Sequence, residues 1–272
     1  ERIIERFFRP FLGGVFLDRE LQTSSRFCEF VFRMFSLGDA AVPRLGMEQI
    51  PQQLAAGLPP QQVRCNARVQ QVTDQAVTLE QGEVLSASAV VVATDALTAD
   101  RLLSGQPASP PSGAVEPQAE SACRGVQCVY FAAARSPIDE AILVLNGEAE
   151  GPVNNLCVAS DVAKDYAPPG QALISATVLG VAADPTALVA EVREQLQSWF
   201  GPAVKQWQHL KTYSIPYALP NQQPPALDPV AKPSDVREGV FVCGDHCDTG
   251  SINGAMASGR RAAEAVAAQL SN

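Results

Sequence analysis

The apolar positions of the chain change period several times, and each change marks an element. Phe27, Phe30, Val31, Met34 and Phe35 recur at helical spacing behind Thr23-Ser24-Ser25, residue types that cap helix starts, and Gly38 closes the run. A second helix is predicted from near Met47, with Ile50, Leu54 and Leu58 on one face and Pro51 confined to the first turn. From Val63 the period is two: Val63, Cys65, Ala67 and Val69 alternate with Arg64, Asn66, Arg68 and Gln70, as in a strand with one wet face. Ala76 to Leu79 and Val84 to Ala87 read as a hairpin about Gln81-Gly82. The run Ala89-Val90-Val91-Val92-Ala93-Thr94 is apolar without alternation, which predicts a strand covered on both faces, as in a parallel sheet.

Residues 105–120, rich in Pro, Gly and Ser, have no period and read as a connector between domains. Apolar runs at Val126 to Ala132, Ile142 to Leu145, Leu156 to Ala159 and Leu173 to Leu179, each bounded by turn residues, predict a mostly antiparallel sheet. Asp184-Pro185 then opens a helix with Leu188, Val192, Leu196 and Trp199 in a stripe, ended by Gly201-Pro202. A strand is predicted near Trp207 to Tyr213, whereas Pro216 to Pro233 holds too much proline for either element. Gly239 to Cys243 reads as a second buried strand and Asn253 to Leu270 as a final helix.

Composition narrows the function classes. The 272 residues are 46% hydrophobic and 18% charged, enough apolar material for one large core or two smaller ones. A net charge of −9 without a basic run gives no electrostatic footprint for nucleic acid. No stretch approaches the roughly 20 apolar residues of a membrane span, and Glu1-Arg2-Ile3-Ile4-Glu5-Arg6 lacks a signal-peptide core, so a soluble protein is expected. Seven cysteines, an odd number embedded in apolar patterns, fit reduced thiols and a cytoplasmic setting. The opening falls inside helical sequence and carries no methionine, so a preceding segment is expected.

The chemistry concentrates in Gly239 to Ala267. A buried strand, the turn Gly244-Asp245, a polar loop through Ser251 and a helix opening at Asn253 together make an anion or polar-ring site, because free backbone N–H groups and the positive dipole end point at one place. Gly254, Ser258 and Ala262 fall at four-residue spacing and leave one helix face nearly bare. Two readings of that face stand side by side: close approach of a planar ligand, or tight packing on a sheet. Arg260-Arg261 are expected to face solvent or phosphate.

Gly244-Asp245 followed by Ser251-x-x-Gly254-Ala255-x-x-Ser258-Gly259-x-x-Ala262-Ala263 resembles the C-terminal flavin signature of the flavin amine oxidase and phytoene desaturase superfamily. Phe8-Arg9-Pro10-Phe11, Gly13-Gly14-Val15-Phe16, Pro43 through Gly46-Met47, Ile50-Pro51 and the strands at Val69 and Ala89 to Thr94 occur in the order such desaturase-like enzymes show, so the resemblance spans nearly the whole chain. It implies FAD as cofactor and a fold that is α/β of mixed α+β type: a Rossmann-like FAD-domain remnant plus a substrate domain with a mixed, mostly antiparallel sheet and helices. It implies the divisions 1–56 (substrate-domain helices), 57–104 (FAD-domain segment), 105–235 (substrate domain) and 236–272 (FAD-binding strand and helix).

By the same resemblance Asp245 accepts from the ribityl chain. The backbone at Ile252 and Asn253 faces the flavin N1/O2 edge, Gly254 and Ala255 leave room for the rings, and Val69 borders the adenine. Gly244, Ser251 and Ser258 complete the cofactor set. Two departures matter. The Gly-x-Gly-x-x-Gly turn is absent from these residues, so the chain alone is expected to hold FAD weakly and to be inactive. Ser251 stands where many amine oxidases carry an aromatic cage residue. That favours desaturase- or isomerase-like hydride chemistry on an apolar small molecule over amine oxidation, with a non-catalytic binding fragment as the reading from another class.

Single residues are weighed individually. Cys243, His246 and Cys247 are ligand types within five positions, but no fourth ligand is evident and no metal is assigned. His246 reads as a polar loop residue near the cofactor, with contact to substrate or flavin as its other reading, and His209 as structural. Tyr213 and Tyr217 line a substrate cavity or simply pack. The Phe-rich opening reads by default as core, its other readings being a channel wall or a peripheral membrane contact. No general base is identified.

Overall fold

The computed structural model describes residues 1–106 and 122–271, so most of the connector expected at 105–120 lies outside the described residues. The chain forms two compact units, residues 1–21, 37–63 and 125–218, and residues 22–36, 64–124 and 219–272. The mixed α/β class expected from the sequence is the one observed. Among the described residues no helix is long and apolar enough to cross a membrane.

The first unit is built on a five-stranded sheet of β5 (Cys123–Ala133), β6 (Leu143–Leu145), β7 (Val153–Val158), β8 (Ala172–Leu179) and β9 (Gln208–Pro220), in the order β6-β7-β8-β5-β9. The β5/β8, β6/β7 and β7/β8 pairs are antiparallel. Along β8 residues alternate between buried and half-buried, so Ala172, Ile174, Ala176 and Val178 share one face. That face packs with Val129, Phe131, Leu156 and Val158 against Leu188, Val192 and Leu196. These three belong to the long helix Pro185–Phe200, whose start Asp184 caps by accepting from the Thr186 and Ala187 N–H groups at 2.8 and 3.1 Å.

Three sequence expectations are corrected. β9 continues through Pro216 to Pro220, inside the stretch expected to hold no element; it lies at the edge of its sheet, where a missing N–H costs no ladder bond. The strand expected from Val63 begins at Val69, because Val69 pairs with Leu79, the last residue of its partner, and among the described residues no strand lies opposite 63–68. The run Ala89 to Thr94 is covered on one face: Val90 and Val92 are buried, but Val91 is 40% exposed on the edge strand of a three-stranded sheet.

The second unit contains that sheet. β4 (Val90–Val92) runs parallel to β11 (Val240–Val242), with Val240 opposite Val90 and Val242 opposite Val92, and β10 (Asp235–Arg237) pairs antiparallel to β11. A separate meander joins β1 (Val69–Val72), β2 (Ala76–Leu79) and β3 (Val84–Ser86). Val72, Val90, Val92, Ala99, Leu102 and Val240 form the core, with Val69 and Val242 packed against it. The unit also carries the helices α4 (Ala96–Leu103) and Ile252–Leu270 and most of Ser25–Leu37.

Candidate functional site

The site is assembled where the two parallel strands end. β4 leads to Thr94 and to Asp95, which caps α4 by accepting from the Thr98 N–H at 3.0 Å. β11 leads to Gly244, a short 3-10 turn at Asp245–Cys247, a loop at 248–251, and the C-terminal helix Ile252–Leu270. Carboxyl ends of parallel strands flanked by helix starts are where open α/β sheets bind ligands, since backbone N–H groups and helix dipoles converge there.

Gly244 sits at φ +154°, and a Cβ there would meet the His246 imidazole at 2.6 Å and the Thr94 carbonyl at 3.2 Å. Its backbone is locked to the helix by Ser258, whose hydroxyl accepts from the Gly244 N–H at 3.0 Å and lies 2.7 Å from the Gly244 carbonyl and 2.9 Å from that of Ala255. Ser258 is 2% exposed, so it works as a tether between strand end and helix. Gly254 is required by another close approach: a Cβ would stand 2.0 Å from the Thr249 carbonyl oxygen.

The stripe of Gly254, Ser258 and Ala262 is buried, Gly254 against the loop at Thr249 and Ser258 against the turn at Gly244. Of the two readings of this face, tight packing accounts for Gly254 and Ser258, since the Thr249 carbonyl and the Gly244 backbone lie against them.

The helix end itself is open. Ser251 caps it, its hydroxyl accepting from the Gly254 N–H at 3.0 Å, and the Ala255 N–H reaches the Ser251 carbonyl at 2.9 Å. That leaves the N–H groups of Ile252 and Asn253 without a partner among the described residues, on residues that are exposed. The Asn253 side-chain amide lies 3.7 Å from the Met34 sulfur, and Ala255 is half-buried.

The turn that precedes this loop carries the Asp245 carboxyl, with 30% of its side chain exposed. Burial pushes its pKa up, against the opposing pull of the neighbouring His246. The same burial pushes His246 down, opposed by Asp245. The imidazole Nδ1 is 3.9 Å from the carboxylate and has no hydrogen-bond partner among the described residues.

Val69 belongs to the same unit but to β1, packed on its core. Tyr213 and Tyr217 lie on β9 in the first unit. Tyr213 lines a cavity of about 510 Å³ with Cys128, Tyr130, Leu173, Leu210, Lys211 and Ile215; Tyr217 is outside that lining. Tyr213 meets Tyr130 edge-on at 5.8 Å, and the Lys211 Nζ lies 4.6 Å over its ring. His209 packs edge-on to buried Phe131.

Sequence reasoning missed the residues that hold the loop. Arg261, expected to face solvent or phosphate, turns inward: Nη1 donates to the Asp248 carboxylate at 2.6 Å and Nη2 to the Cys247 carbonyl at 2.9 Å. Gln222 bridges the same loop from the proline-rich stretch. Neither has a local signal, since each partner lies more than ten residues away. Thr249 had one, for the glycine at the third helical position announces that something comes close.

A flavin fits these residues. Its pyrimidine edge, which gains negative charge on reduction, suits the open donors at Ile252 and Asn253, and its ribityl hydroxyls suit the Asp245 carboxylate.

Residues 1–267 match the family model described as flavin containing amine oxidoreductase. Among solved structures the chain resembles reduced UDP-galactopyranose mutase, with TM-score 0.64 and 15% identity over 90% of this chain and 60% of that one. It also resembles cyclohexylamine oxidase from Brevibacterium oxydans IH-35A, with TM-score 0.57 and 17% identity over 84% of this chain and 53% of the oxidase. Wild-type putrescine oxidase bound to putrescine gives TM-score 0.57 and 14% identity over 82% and 53%. At such identities the likeness is one of fold, and the chain spans roughly three-fifths or less of each neighbour's length. No curated protein matches.

Proposed function

Because the chain belongs to the family of flavin-containing amine oxidoreductases, we propose that it serves an FAD-dependent oxidoreductase that takes hydride from an apolar small molecule, in the manner of the desaturases and isomerases its sequence resembles. The flavin supplies the redox chemistry when bound, accepting the hydride at N5. The chain's own residues bind and orient it. Asp245 accepts from the ribityl hydroxyls, and the Ile252 and Asn253 N–H groups bear on the edge that becomes negative, which favours the reduced state. Gly244, Ser251 and Ser258 hold strand end and helix start together, Gly254 and Ala255 form the turn the ring meets, and Val69 borders the adenine. His246 stays neutral near pH 7 because burial lowers its pKa.

The observation that carries the choice of an apolar substrate is the first unit's cavity. Leu173, Leu210, Ile215 and the rings of Tyr130 and Tyr213 dominate its lining, and among the described residues the charged group there is the Lys211 ammonium, with no carboxylate. A cationic amine meets no carboxylate among the described residues of that lining and is repelled by Lys211, which already occupies the face of the Tyr213 ring. Ser251 agrees, since it spends its hydroxyl capping the helix and offers no aromatic wall.

Amine oxidation is the second reading, favoured by the family match and by the fold shared with two amine oxidases. The full-length protein is incubated anaerobically with polyenes and with amines while flavin absorbance is followed. Bleaching by polyenes supports the proposal; bleaching by amines alone replaces it with the second reading. A full-length protein that carries no flavin makes the chain a binding module.

A further inference from the structure

Gln222 lies in the proline-rich stretch before β10 and is 3% exposed. Its side-chain amide grips the loop that precedes the C-terminal helix by both ends: Nε2 donates to the Asp248 carbonyl at 2.7 Å, and Oε1 accepts from the Gly250 N–H at 2.8 Å. Its backbone is fixed in turn, the Gln222 carbonyl accepting from the Ser24 N–H at 2.9 Å. A buried amide with both ends satisfied holds its partners in one geometry, because losing either bond strands a polar group away from water. Arg261 secures the start of the same loop at Cys247 and Asp248. Gln222 reaches further, to Gly250, the residue before the helix cap, where a Cβ would stand 3.1 Å from the Gln222 oxygen and 3.4 Å from the Pro220 ring. Gln222 thus helps to fix the direction in which the chain enters the helix that presents the Ile252 and Asn253 N–H groups.

We infer that Gln222 is a positioning residue for the flavin: it touches no ring itself, but fixes the loop that aims the helix end at the edge where charge appears on reduction. This rests on the flavin reading proposed above. Removing Gln222 frees the loop, so the helix end stabilises the reduced form less.

The test uses the full-length protein with its bound flavin and three variants. Gln222→Leu removes both bonds. Gln222→Asn keeps a buried amide that cannot reach both backbone atoms. Gln195→Leu is the control, because Gln195 is likewise a buried amide, in the first unit, bonded to the Val153 N–H at 2.7 Å and the Glu150 carbonyl at 2.6 Å. Both Gln222 variants are expected to weaken the preference for reduced over oxidised flavin about tenfold, a fall of about 30 mV for a two-electron couple. Amide exchange at residues 248–253 should quicken with it. Gln195→Leu should lose comparable resistance to denaturant with an unchanged potential.

An unchanged potential in flavin-loaded Gln222 variants, or an equal fall in Gln195→Leu, overturns the inference and leaves the flavin reading standing. Exchange needs no flavin: unaltered rates at 248–253 in the Gln222 variants overturn the positioning role whatever the cofactor does. A full-length protein that neither carries nor takes up flavin overturns the reading beneath it.

Discussion

At the scale of single residues, the strand-turn-helix segment separates groups that hold the fold from a group that costs it. Ser258 holds it: its loss to alanine leaves the Gly244 N–H and carbonyl, both at the strand end, without their partner. Ser258→Ala should lower unfolding free energy by about 1–3 kcal/mol, the cost of stranding buried polar groups, measured by urea denaturation. Asp245 acts the other way. Its pKa is raised chiefly by burial, so the folded protein keeps this proton to higher pH than the unfolded chain does. The stability it contributes is present below the ordinary aspartate range near 3.8 and is lost as pH rises through the raised value. Asp245→Asn should therefore be at least as stable as the native protein at pH 7, with its advantage shrinking toward pH 4, while flavin content in the full-length protein falls. His246 has the opposite sign, its share being lost as pH falls below 6.5 through its lowered value, so only the Asn variant's difference from native isolates Asp245. A variant less stable at pH 7 would mean that the carboxylate is a structural acceptor.

At the scale of elements, local pattern and long-range tether behave differently. The helix Pro185–Phe200 was legible from its stripe and its Asp-Pro start, because cap and period are local. Asp184→Ala should cost about 1 kcal/mol, seen as a lower urea midpoint with unchanged slope. The loop at 248–251 was not legible, since its geometry is held by Arg261 and Gln222 from elsewhere in the chain. Arg261→Met should cost more than the alanine cap variant, about 1–3 kcal/mol, because the Asp248 side chain is only 14% exposed and loses its ion-pair partner. Equal costs by denaturation would show that the pair is too well solvated to matter. The same contrast explains the corrected strands. Alternation at 63–69 and the apolar run at 89–94 encode what a strand would bury, whereas partner length and edge position decide where it starts and which face is covered.

At the scale of the whole molecule, the two units distribute the thiols unequally. All seven cysteines are free, with Cys65 exposed and Cys123, Cys243 and Cys247 buried. Burial, reinforced by Asp95, Asp245 and Asp100, pushes Cys123 up to about 11, so roughly one thiol in a thousand is ionised at pH 8. A disulfide reagent should label Cys65 first and Cys123 only on unfolding, read by mass spectrometry of timed samples. Prompt labelling of Cys123 would show that the second unit opens readily. The sequence by itself determined the class of fold, the antiparallel sheet with its covering helix, and the strand-turn-helix segment that carries the flavin signature. These follow from periodicity and capping, which act over a few residues. Only the tertiary structure decided that the small-residue stripe faces the chain's own backbone, that Arg261 turns inward, that Pro216 sits in an edge strand, and that Gln222 governs the loop. Each of these depends on what lies opposite a residue in space, and short-range chemistry along the chain does not encode that neighbour.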